Sequence, residues 1–305
     1  MTDVRIHEVC LRDGLQNEPV VVPTARKLAW IEQLVEAGCR DIEVTSFVRP
    51  RLLPQLADAS EVVAGLSSTP GVRFWALVPN GKGLERALDA GVGHVASVLS
   101  VSETHNKRNV NRTVRESLAS ISRVLSDAKT EGMGTRAYLS TVFGCPFEGQ
   151  IPVERTRDLV LKMLDAGADV VALGDTVGMG TPSEVTRVLD VLEGAGVPLS
   201  SLAMHFHDTR GTALTNVYAS WLRGIRHFDG SVAGVGGCPY APGAAGNAAT
   251  EDVVYLLHKL GARTGLNLER MCGLGEVMER DLGRELPGRY HRYCRGQGGG
   301  EAKSA

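Results

Sequence analysis

The sequence lacks a long apolar segment, a paired-cysteine motif and a strong excess of charge of either sign. No apolar run approaches the roughly 20 residues that a membrane-spanning helix needs, so we expect no association with a membrane. The net charge of −2 provides no overall field that would attract nucleic acid. A polyanionic ligand would therefore depend on a local basic patch. At 305 residues and 43% hydrophobic content, the chain is long enough to bury a sizeable core.

The six cysteines are scattered, and no two have the Cys-x-x-Cys spacing of a metal or redox motif. A chain of this length does not depend on disulfides for stability, so we expect reduced thiols. The first predicted strand begins at Val4, which leaves no space for a signal or transit peptide. Both features favour a cytoplasmic protein.

Predicted strands and helices alternate along most of the chain. Strands are predicted from short apolar or alternating runs, and helices from apolar residues that recur three or four positions apart. The predicted strands are Val4–Val9, Asp41–Thr45, Val72–Val78, His94–Ser100, Thr135–Val142, Val170–Leu173, a strand from Leu202 that carries His205 and His207, and His227–Val232. The predicted helices are the segment from Thr24, taken as N-cap, to Gly38, then Ala57–Leu66, Leu84–Ala90, Val114–Glu131, Val153–Ala166, Ser183–Glu193, Ala213–Arg223 and Glu251–Leu260.

Eight strands that alternate with eight helices predict a (β/α)8 TIM barrel. Three helices end in an acid, Ala and Gly before the next strand, with Gly38, Gly91 and Gly167 as the glycines. Glycine is common at this position because it adopts the left-handed conformation. The alternative is a doubly wound open sheet, which typically has a Gly-rich phosphate loop after its first strand. Arg12-Asp13-Gly14 occupies that position here, which favours the barrel.

The C-terminal part departs from this alternation. Glu269–Leu282 is predicted to form one additional helix at the rim of the barrel. From Gly296 onward the chain is rich in glycine and polar residues, which predicts disorder. We therefore assign residues 1–285 to a single barrel domain and residues 286–305 to a flexible tail.

His205 and His207 are separated by one residue on the seventh predicted strand. Residues i and i+2 of a strand point to the same face, so both imidazoles face one space, as two metal ligands require. For such a pair alone, histidines that only make hydrogen bonds are the more common alternative.

Further polar residues stand where predicted strands end, which is where a barrel places its active site. Because the eighth strand of a closed barrel lies beside the first, Asp13 and Asn247 are expected to approach the two histidines. Two imidazoles, a carboxylate and an amide oxygen suit Mg²⁺ or Mn²⁺, with Zn²⁺ or Co²⁺ as possible substitutes. For Asn247, an N-cap before the next helix is the alternative.

Gly236-Gly237-Cys238-Pro239-Tyr240 places a thiol in a Gly-rich loop after the eighth strand. Gly144-Cys145-Pro146-Phe147 is a near copy after the fifth strand, and Cys145 is the second candidate. We prefer Cys238 because its loop leads into Asn247. A turn shape that is simply used twice is the alternative.

Three more charged residues are candidates for the chemistry. The guanidinium of Arg12, next to Asp13, is suited to polarise a carbonyl or to stabilise an enolate oxygen. An ion pair with Glu43 is the alternative, and the two roles are compatible. Asp175, after the sixth strand, is predicted to orient a ligand histidine or to act as a base.

With these residues the chain resembles the 3-hydroxy-3-methylglutaryl-CoA lyase family, a group of metal-dependent lyases on (β/α)8 barrels. The resemblance covers about Val4 to Gly265. It is carried by Arg12 to Glu18, Ile42 to Phe47, Gly144 to Gly149, Gly174 to Thr176, His205 to Thr209, and Gly236 to Asn247.

The resemblance implies cleavage of 3-hydroxy-3-methylglutaryl-CoA, or of a close 3-substituted analogue, to acetyl-CoA and acetoacetate or the corresponding keto acid. It implies a divalent metal, Mg²⁺ or Mn²⁺, on Asp13, His205, His207 and Asn247. In the same way, Arg12 would stabilise the acetyl-CoA enolate and Cys238 would supply its proton. Glu43 and Asp175 would tune ligands or relay protons, and Gln16 and Tyr138 would contact the substrate. A homodimer, leucine degradation and ketone-body formation follow from the resemblance alone.

Two segments depart from the family pattern. Cys10-Leu11 precede Arg12 where Gly-Pro is expected, and Ser102–Asn109 differs after its Ser-Glu. We expect the second segment to form a loop after the fourth strand that affects the substrate's 3-substituent. Our candidates for the CoA phosphates are Lys107, Arg108 and Arg112, with a solvated charge cluster as the alternative.

Competing functions are a lyase for another 3-hydroxyacyl-CoA such as citramalyl-CoA, a condensing synthase that uses acetyl-CoA, and an inactive binding protein on the same barrel. The Cys238 loop argues against the synthase, which deprotonates acetyl-CoA with a base. The complete ligand set argues against the binding protein.

Overall fold

A closed barrel of eight parallel strands forms the centre of the computed structural model, which describes residues 2–237 and 246–298. Neighbouring strands follow the chain order, and the first barrel strand pairs with the last. The strands are β2 (Arg5–Glu8), β3 (Asp41–Ser46), β4 (Arg73–Leu77), β5 (His94–Ser100), β6 (Gly134–Ser140), β7 (Val170–Asp175), β8 (Leu202–Phe206) and β9 (His227–Gly230). This closure confirms the predicted TIM barrel and excludes the open doubly wound sheet. A separate two-stranded sheet pairs β1 (Thr2–Asp3) with β10 (Ala262–Arg263).

Helices follow the barrel strands and cover their outer faces. They are α1 (Thr24–Glu36), α2 (Ala59–Ala64), α3 (Gly81–Asp89), α4 (Glu103–Val110), α5 (Val114–Thr130), α6 (Val153–Asp165), α7 (Pro182–Gly194), α8 (Ala213–Leu222), α9 (Thr250–Lys259), α10 (Leu268–Leu282) and α11 (Arg289–Gly298). Each long helix buries one apolar stripe; in α1 this stripe contains Trp30, Ile31 and Leu34. Among the described residues, no helix combines the length and the apolar character needed to cross a bilayer.

The repeated glycines at the helix ends have the expected left-handed backbone. Gly38, after α1, has a φ of 101°. A β-carbon at Gly38 would also lie 2.2 Å from the carbonyl oxygen of Gly265. Both the backbone conformation and the close approach therefore require glycine at this helix end.

Helix α4 was not predicted, because the segment after β5 has a polar sequence without an apolar stripe. Its N-terminus is fixed by hydrogen bonds instead: the side chain of Ser102 accepts from the backbone N–H of His105, at 3.1 Å. The expectation of a loop over Ser102–Asn109 is thus wrong. The prediction that Thr24 caps α1 is also wrong. Pro23 is the N-cap, and the hydroxyl of Thr24 donates to Asp58 at 2.7 Å.

The C-terminal region is more ordered than expected. Helix α10 confirms the additional helix, but α11 occupies part of the segment assigned to a flexible tail. The carboxylate of Asp252 accepts hydrogen bonds from the backbone N–H groups of Arg289 and Tyr290, and this satisfies the start of α11. His291 is fully buried against α10, 3.2 Å from Glu279. Residues 299–305, the rest of the predicted tail, lie outside the described residues.

Candidate active site

A cavity of about 880 Å³ opens at the C-terminal ends of the barrel strands. Arg12, Asp13, Tyr138, His205 and His207 all line it. This is the end of a TIM barrel at which active sites lie. Gln16, expected to contact the substrate, also lines the cavity.

A five-residue π-helical turn, Cys10–Gly14, follows β2 and carries Arg12 and Asp13. Cys10 and Leu11, which replace the expected Gly-Pro, are fully buried in the hydrophobic core. The backbone N–H of Cys10 donates to the carboxylate of Glu8 at 3.0 Å. Cys10 and Leu11 therefore anchor this turn in the hydrophobic core and leave the cavity unobstructed.

Asp13, His205 and His207 come together although they are far apart in the sequence, and this cluster could hold a metal ion. The Nε2 atoms of the two histidines are 3.2 Å apart. One carboxylate oxygen of Asp13 lies 3.9 Å from Nε2 of His205 and 3.8 Å from Nε2 of His207. The expected convergence of these three side chains is therefore present.

The hydrogen bond between His205 and Asp229 indicates whether the nitrogen atoms that face Asp13 can bind a cation. Nδ1 of His205 lies 3.1 Å from the carboxylate of Asp229, which only accepts hydrogen bonds and so requires an N–H at Nδ1. In the neutral ring, the lone pair is then on Nε2, facing His207 and the carboxylate of Asp13. Burial, together with His205, lowers the pKa of His207 to about 4, so the His207 ring is neutral near pH 7. Burial opposes a charge on His205, but Asp229 and Asp13 outweigh burial and raise its pKa, so a cation that binds here displaces a proton from His205. Electron pairs that converge in this way fit a bound cation.

Asn247 lies beside the cluster through an antiparallel bridge to His207. Its Nδ2 donates to the carbonyl of Val235 at 3.3 Å. Its Oδ1 is buried and accepts no hydrogen bond within the part of the chain that the structure describes. Since a buried amide oxygen without a partner is costly, this atom fits a fourth ligand.

Arg12 is held by two carboxylates. Its Nη1 donates to Asp13 at 2.6 Å, and its Nε donates to Glu43. Burial opposes the charge on Arg12, but the two carboxylates outweigh burial and raise its pKa. The ion pair between Arg12 and Glu43, weighed above as an alternative, is thus present, and the guanidinium still borders the cavity.

Glu43 is fully buried and also accepts hydrogen bonds from Tyr138, at 2.6 Å, and from His7, at 3.1 Å. Burial would raise the pKa of Glu43, but Arg12 and these hydrogen bonds prevail and lower it to about 2. A carboxylate with such a low pKa is a poor proton relay near neutrality. Its position instead favours a role in holding Arg12.

Asp175 does not orient either histidine, contrary to the prediction. Its carboxylate accepts hydrogen bonds from the backbone N–H groups of Met179, at 2.8 Å, and Gly180, at 3.0 Å. The reason is the tight turn after β7, which aims two N–H groups at this side chain. Burial raises the pKa of Asp175 to about 6 despite these bonds.

The residue that orients His205 is Asp229, which sequence reasoning missed. Asp229 is buried on β9, the strand next to β8, and also binds Arg136. A charged residue in the middle of a predicted strand, beside the strand with the histidines, was the available signal.

The two candidate thiols have different outcomes. Cys145 is buried, and its Sγ lies 3.0 Å from the hydroxyl of Ser102, away from the cavity lining. This position favours a structural role for Cys145. Cys238 lies outside the described residues. The residue before it, Gly237, lines the cavity, and its carbonyl accepts a hydrogen bond from Asn17 at 3.0 Å.

Of the three residues predicted for the CoA phosphates, Arg108 and Arg112 line the cavity and Lys107 does not. Three further basic residues line it and were missed: Arg49, Lys82 and Arg86. The signal for them in the sequence was their position shortly after the ends of β3 and β4.

Comparison with known proteins agrees with this geometry. The HMGL-like family model matches residues 3–278. The hydroxymethylglutaryl-CoA lyase YngG of Bacillus subtilis is 47% identical over 286 residues, which cover 94% of this chain and 95% of that protein. The chain belongs to the hydroxymethylglutaryl-CoA lyase family.

Solved structures of this family have the same fold. A crystal structure of the HMG-CoA lyase of Bacillus subtilis has a TM-score of 0.94 at 45% identity, with 97% of this chain and 99% of that chain covered. An HMG-CoA lyase of A. baumannii, in complex with coenzyme A and 3-methylmalate, has a TM-score of 0.90 at 37% identity, with coverages of 95% and 94%. The family assignment therefore extends over nearly the whole chain.

Proposed function

We propose that this protein cleaves 3-hydroxy-3-methylglutaryl-CoA to acetyl-CoA and acetoacetate. The single observation that carries this function is the convergence of Asp13, His205 and His207 beneath Arg12 in the cavity, within a chain of the hydroxymethylglutaryl-CoA lyase family. The complex of a relative with coenzyme A supports an acyl-CoA substrate.

Asp13, His205, His207 and Asn247 would hold the divalent cation, Mg²⁺ or Mn²⁺, that the reaction needs. When bound, this cation supplies Lewis-acid polarisation of the substrate's 3-hydroxyl and carboxylate oxygens. Asp229 keeps the Nε2 atom of His205 available by accepting a hydrogen bond from its Nδ1–H. In the cleavage, the hydroxyl proton passes to water, the C3–O bond becomes a carbonyl, and the C2–C3 bond breaks with its electron pair going to C2.

We assign Arg12 to stabilise the negative charge that develops when C2 keeps the electron pair of the broken bond. That pair gives the enolate of acetyl-CoA, whose oxygen needs a fixed positive charge beside it. Glu43 and Asp13 hold the guanidinium in place, so little reorganisation is needed when the charge develops. Tyr138, which donates to Glu43, borders the cavity next to Arg12 and is proposed to contact the substrate.

From the family resemblance, we assign Cys238 as the acid that donates a proton to the enolate and so forms acetyl-CoA. Asp175, with a pKa near 6, is proposed to act through the turn that it holds after β7. The condensing synthase is less favoured, because the Cys238 thiol is suited to give a proton to a carbanion, whereas a synthase removes one from acetyl-CoA with a base.

Arg108 and Arg112, with Arg49, Lys82 and Arg86, are proposed to bind the phosphates of coenzyme A at the mouth of the cavity. We further propose a cytoplasmic homodimer of single-domain chains, as the resemblance implies. Its products would connect leucine degradation with ketone bodies.

The test is a cleavage assay on chelator-stripped protein with 3-hydroxy-3-methylglutaryl-CoA, with and without Mn²⁺ or Mg²⁺, in which acetoacetate is measured. We expect product only with the metal. Cys238→Ala should abolish product formation, whereas the matched Cys145→Ala should retain it. Absence of product in metal-loaded wild-type protein would contradict the proposed substrate, and absence of metal binding would contradict the proposed mechanism.

A further inference from the structure

Helix α4, which no sequence pattern predicted, forms one side of the cavity mouth. Its C-terminal residues and the turn after it line the cavity from Arg108 to Arg112. The chain reverses at Asn111, which has a left-handed φ of 54°. The placement of this turn therefore decides where Arg112 stands relative to the barrel, whereas Arg108 lies in the last turn of α4 and stacks on the ring of Phe147 at 4.1 Å.

One buried side chain holds this turn. Asn106, 2% exposed, donates from Nδ2 to the carbonyl of Arg112 and to the hydroxyl of Ser117, both at 2.8 Å. Its Oδ1 accepts from the backbone N–H of Ser100 at 3.2 Å. These partners belong to the turn, to α5 and to the end of β5, so a single amide joins three segments. Both of its N–H groups and its oxygen are used.

The amide is chemically specific for this task. A carboxylate in the same shape could still accept from Ser100, but it has no hydrogen to offer the carbonyl of Arg112. An apolar side chain would remove all three hydrogen bonds, and the partners in two of them, Ser100 and Ser117, are buried. None of the three partners is a member of the Asp13, His205 and His207 cluster.

We propose that Asn106 is a positioning residue for the coenzyme A end of the substrate. This inference rests on the proposed function, because it takes Arg108 and Arg112 as part of the phosphate site. Asn106 acts by fixing α4, which carries Arg108, to the turn that carries Arg112, and it does not touch the reacting atoms. Its loss should therefore weaken binding of the full thioester and leave the chemical step unchanged.

The experiment compares wild type with Asn106→Asp on two substrates. One is 3-hydroxy-3-methylglutaryl-CoA, and the other is the N-acetylcysteamine thioester of the same acid, which lacks the nucleotide. We expect KM for the CoA thioester to rise about tenfold, with kcat and the KM for the short thioester each within about twofold. Asn267→Asp is the control for the added charge, since Asn267 stands at the start of α10 and does not line the cavity. It should reproduce none of this pattern.

An equal rise of KM for both thioesters, a fall in kcat of similar size, or no change at all would overturn the inference. If Asn106→Asp does not fold, Ser117→Ala removes only one of the three bonds and should give the same pattern at about threefold. Failure of the proposed function is seen separately, as wild type that cleaves neither thioester. In that case, the Kd for coenzyme A is measured at equilibrium. The proposed role of Asn106 requires this Kd to be about tenfold higher in Asn106→Asp than in wild type.

Discussion

Nδ1 of His205 lies 3.1 Å from the carboxylate of Asp229 on the neighbouring barrel strand. Asp229 is buried and is paired on its other side with Arg136. Burial would raise the pKa of Asp229, but Arg136 and His205 lower it to about 2. Asp229 therefore stays an acceptor over the physiological pH range and fixes which nitrogen of His205 faces the cavity.

We predict that Asp229→Asn weakens metal binding by about 10- to 100-fold, because the new amide can donate to Nδ1 and favour the proton on Nε2. Titration of Mn²⁺ by calorimetry measures this directly. Asp158→Asn is the control, since Asp158 is exposed and bonds only its neighbour Arg157 among the described contacts. Unchanged Mn²⁺ affinity in Asp229→Asn would show that the tautomer of His205 does not limit binding.

We predict that Arg12→Lys lowers kcat by about 100-fold, since a lysine cannot bind Glu43 and Asp13 together and still face the developing enolate. Mn²⁺ affinity should change much less, because Arg12 offers no ligand atom. Steady-state kinetics with saturating Mn²⁺ measures kcat. Arg26→Lys is the control, as its pair with Asp281 lies on the surface. A higher KM with an unchanged kcat would mean that Arg12 binds the substrate and the transition state equally.

Most of the barrel and the convergence of Asp13, His205 and His207 could be predicted from the sequence. Period-two and helical patterns report burial directly, so β5 was predicted as His94–Ser100, as observed. The closure of the ring, a topological property, was enough to bring Asp13 to His205. Helix α4 was missed because hydrogen bonds from side chains such as Ser102 form it, without an apolar stripe.

The network behind the site escaped prediction for a different reason. Whether Asp175 or Asp229 faces a histidine depends on rotamers and on the competing N–H groups of Met179 and Gly180. No spacing in the sequence encodes those choices. The ordered C-terminal helix was likewise hidden, because Asp252, 37 residues before Arg289, caps its start.

Stability should fall as the pH rises toward 8, because the carboxyl groups of Glu8 and Glu251 are fully buried. Burial raises the pKa of Glu251 from 4.5 to about 8 and that of Glu8 from 4.5 to about 7. Between the unfolded and folded pKa values the folded state binds more protons, so each group's stabilising contribution is complete below pH 4.5 and is lost as the pH rises. The slope per group reaches about 1.4 kcal/mol per pH unit.

Glu251→Gln should remove one of these slopes. Its amide oxygen can still accept from the N–H of Ala233, which the Glu251 carboxylate binds at 2.8 Å. Urea denaturation at pH 5, 6, 7 and 8 measures the free energy of unfolding. The exposed Glu269→Gln is the control and should keep the wild-type slope. Parallel curves for Glu251→Gln and wild type would contradict the titration of Glu251 in this range.

The buried oxygen of Asn247, which has no hydrogen-bond partner among residues 2–237 and 246–298, gives the sharpest test of a four-ligand site. A metal that binds only the folded chain raises its stability, by about 2.7 kcal/mol at 100 times the Kd. For a chain of this size, that corresponds to an increase in Tm of several degrees. Asn247→Ala should reduce Mn²⁺ affinity by about tenfold, equivalent to about 1.4 kcal/mol, and shrink the increase accordingly. His207→Ala should abolish it.

Asn267→Ala is the matched control for this measurement. Asn267 caps α10 by accepting from the N–H of Arg270 at 3.0 Å, so its loss should lower Tm without metal. The increment on adding Mn²⁺ should nevertheless equal that of wild type. A full increment in Asn247→Ala together with none in His207→Ala would reduce the ligand set to Asp13, His205 and His207. The buried oxygen of Asn247 would then need a different partner, such as the substrate.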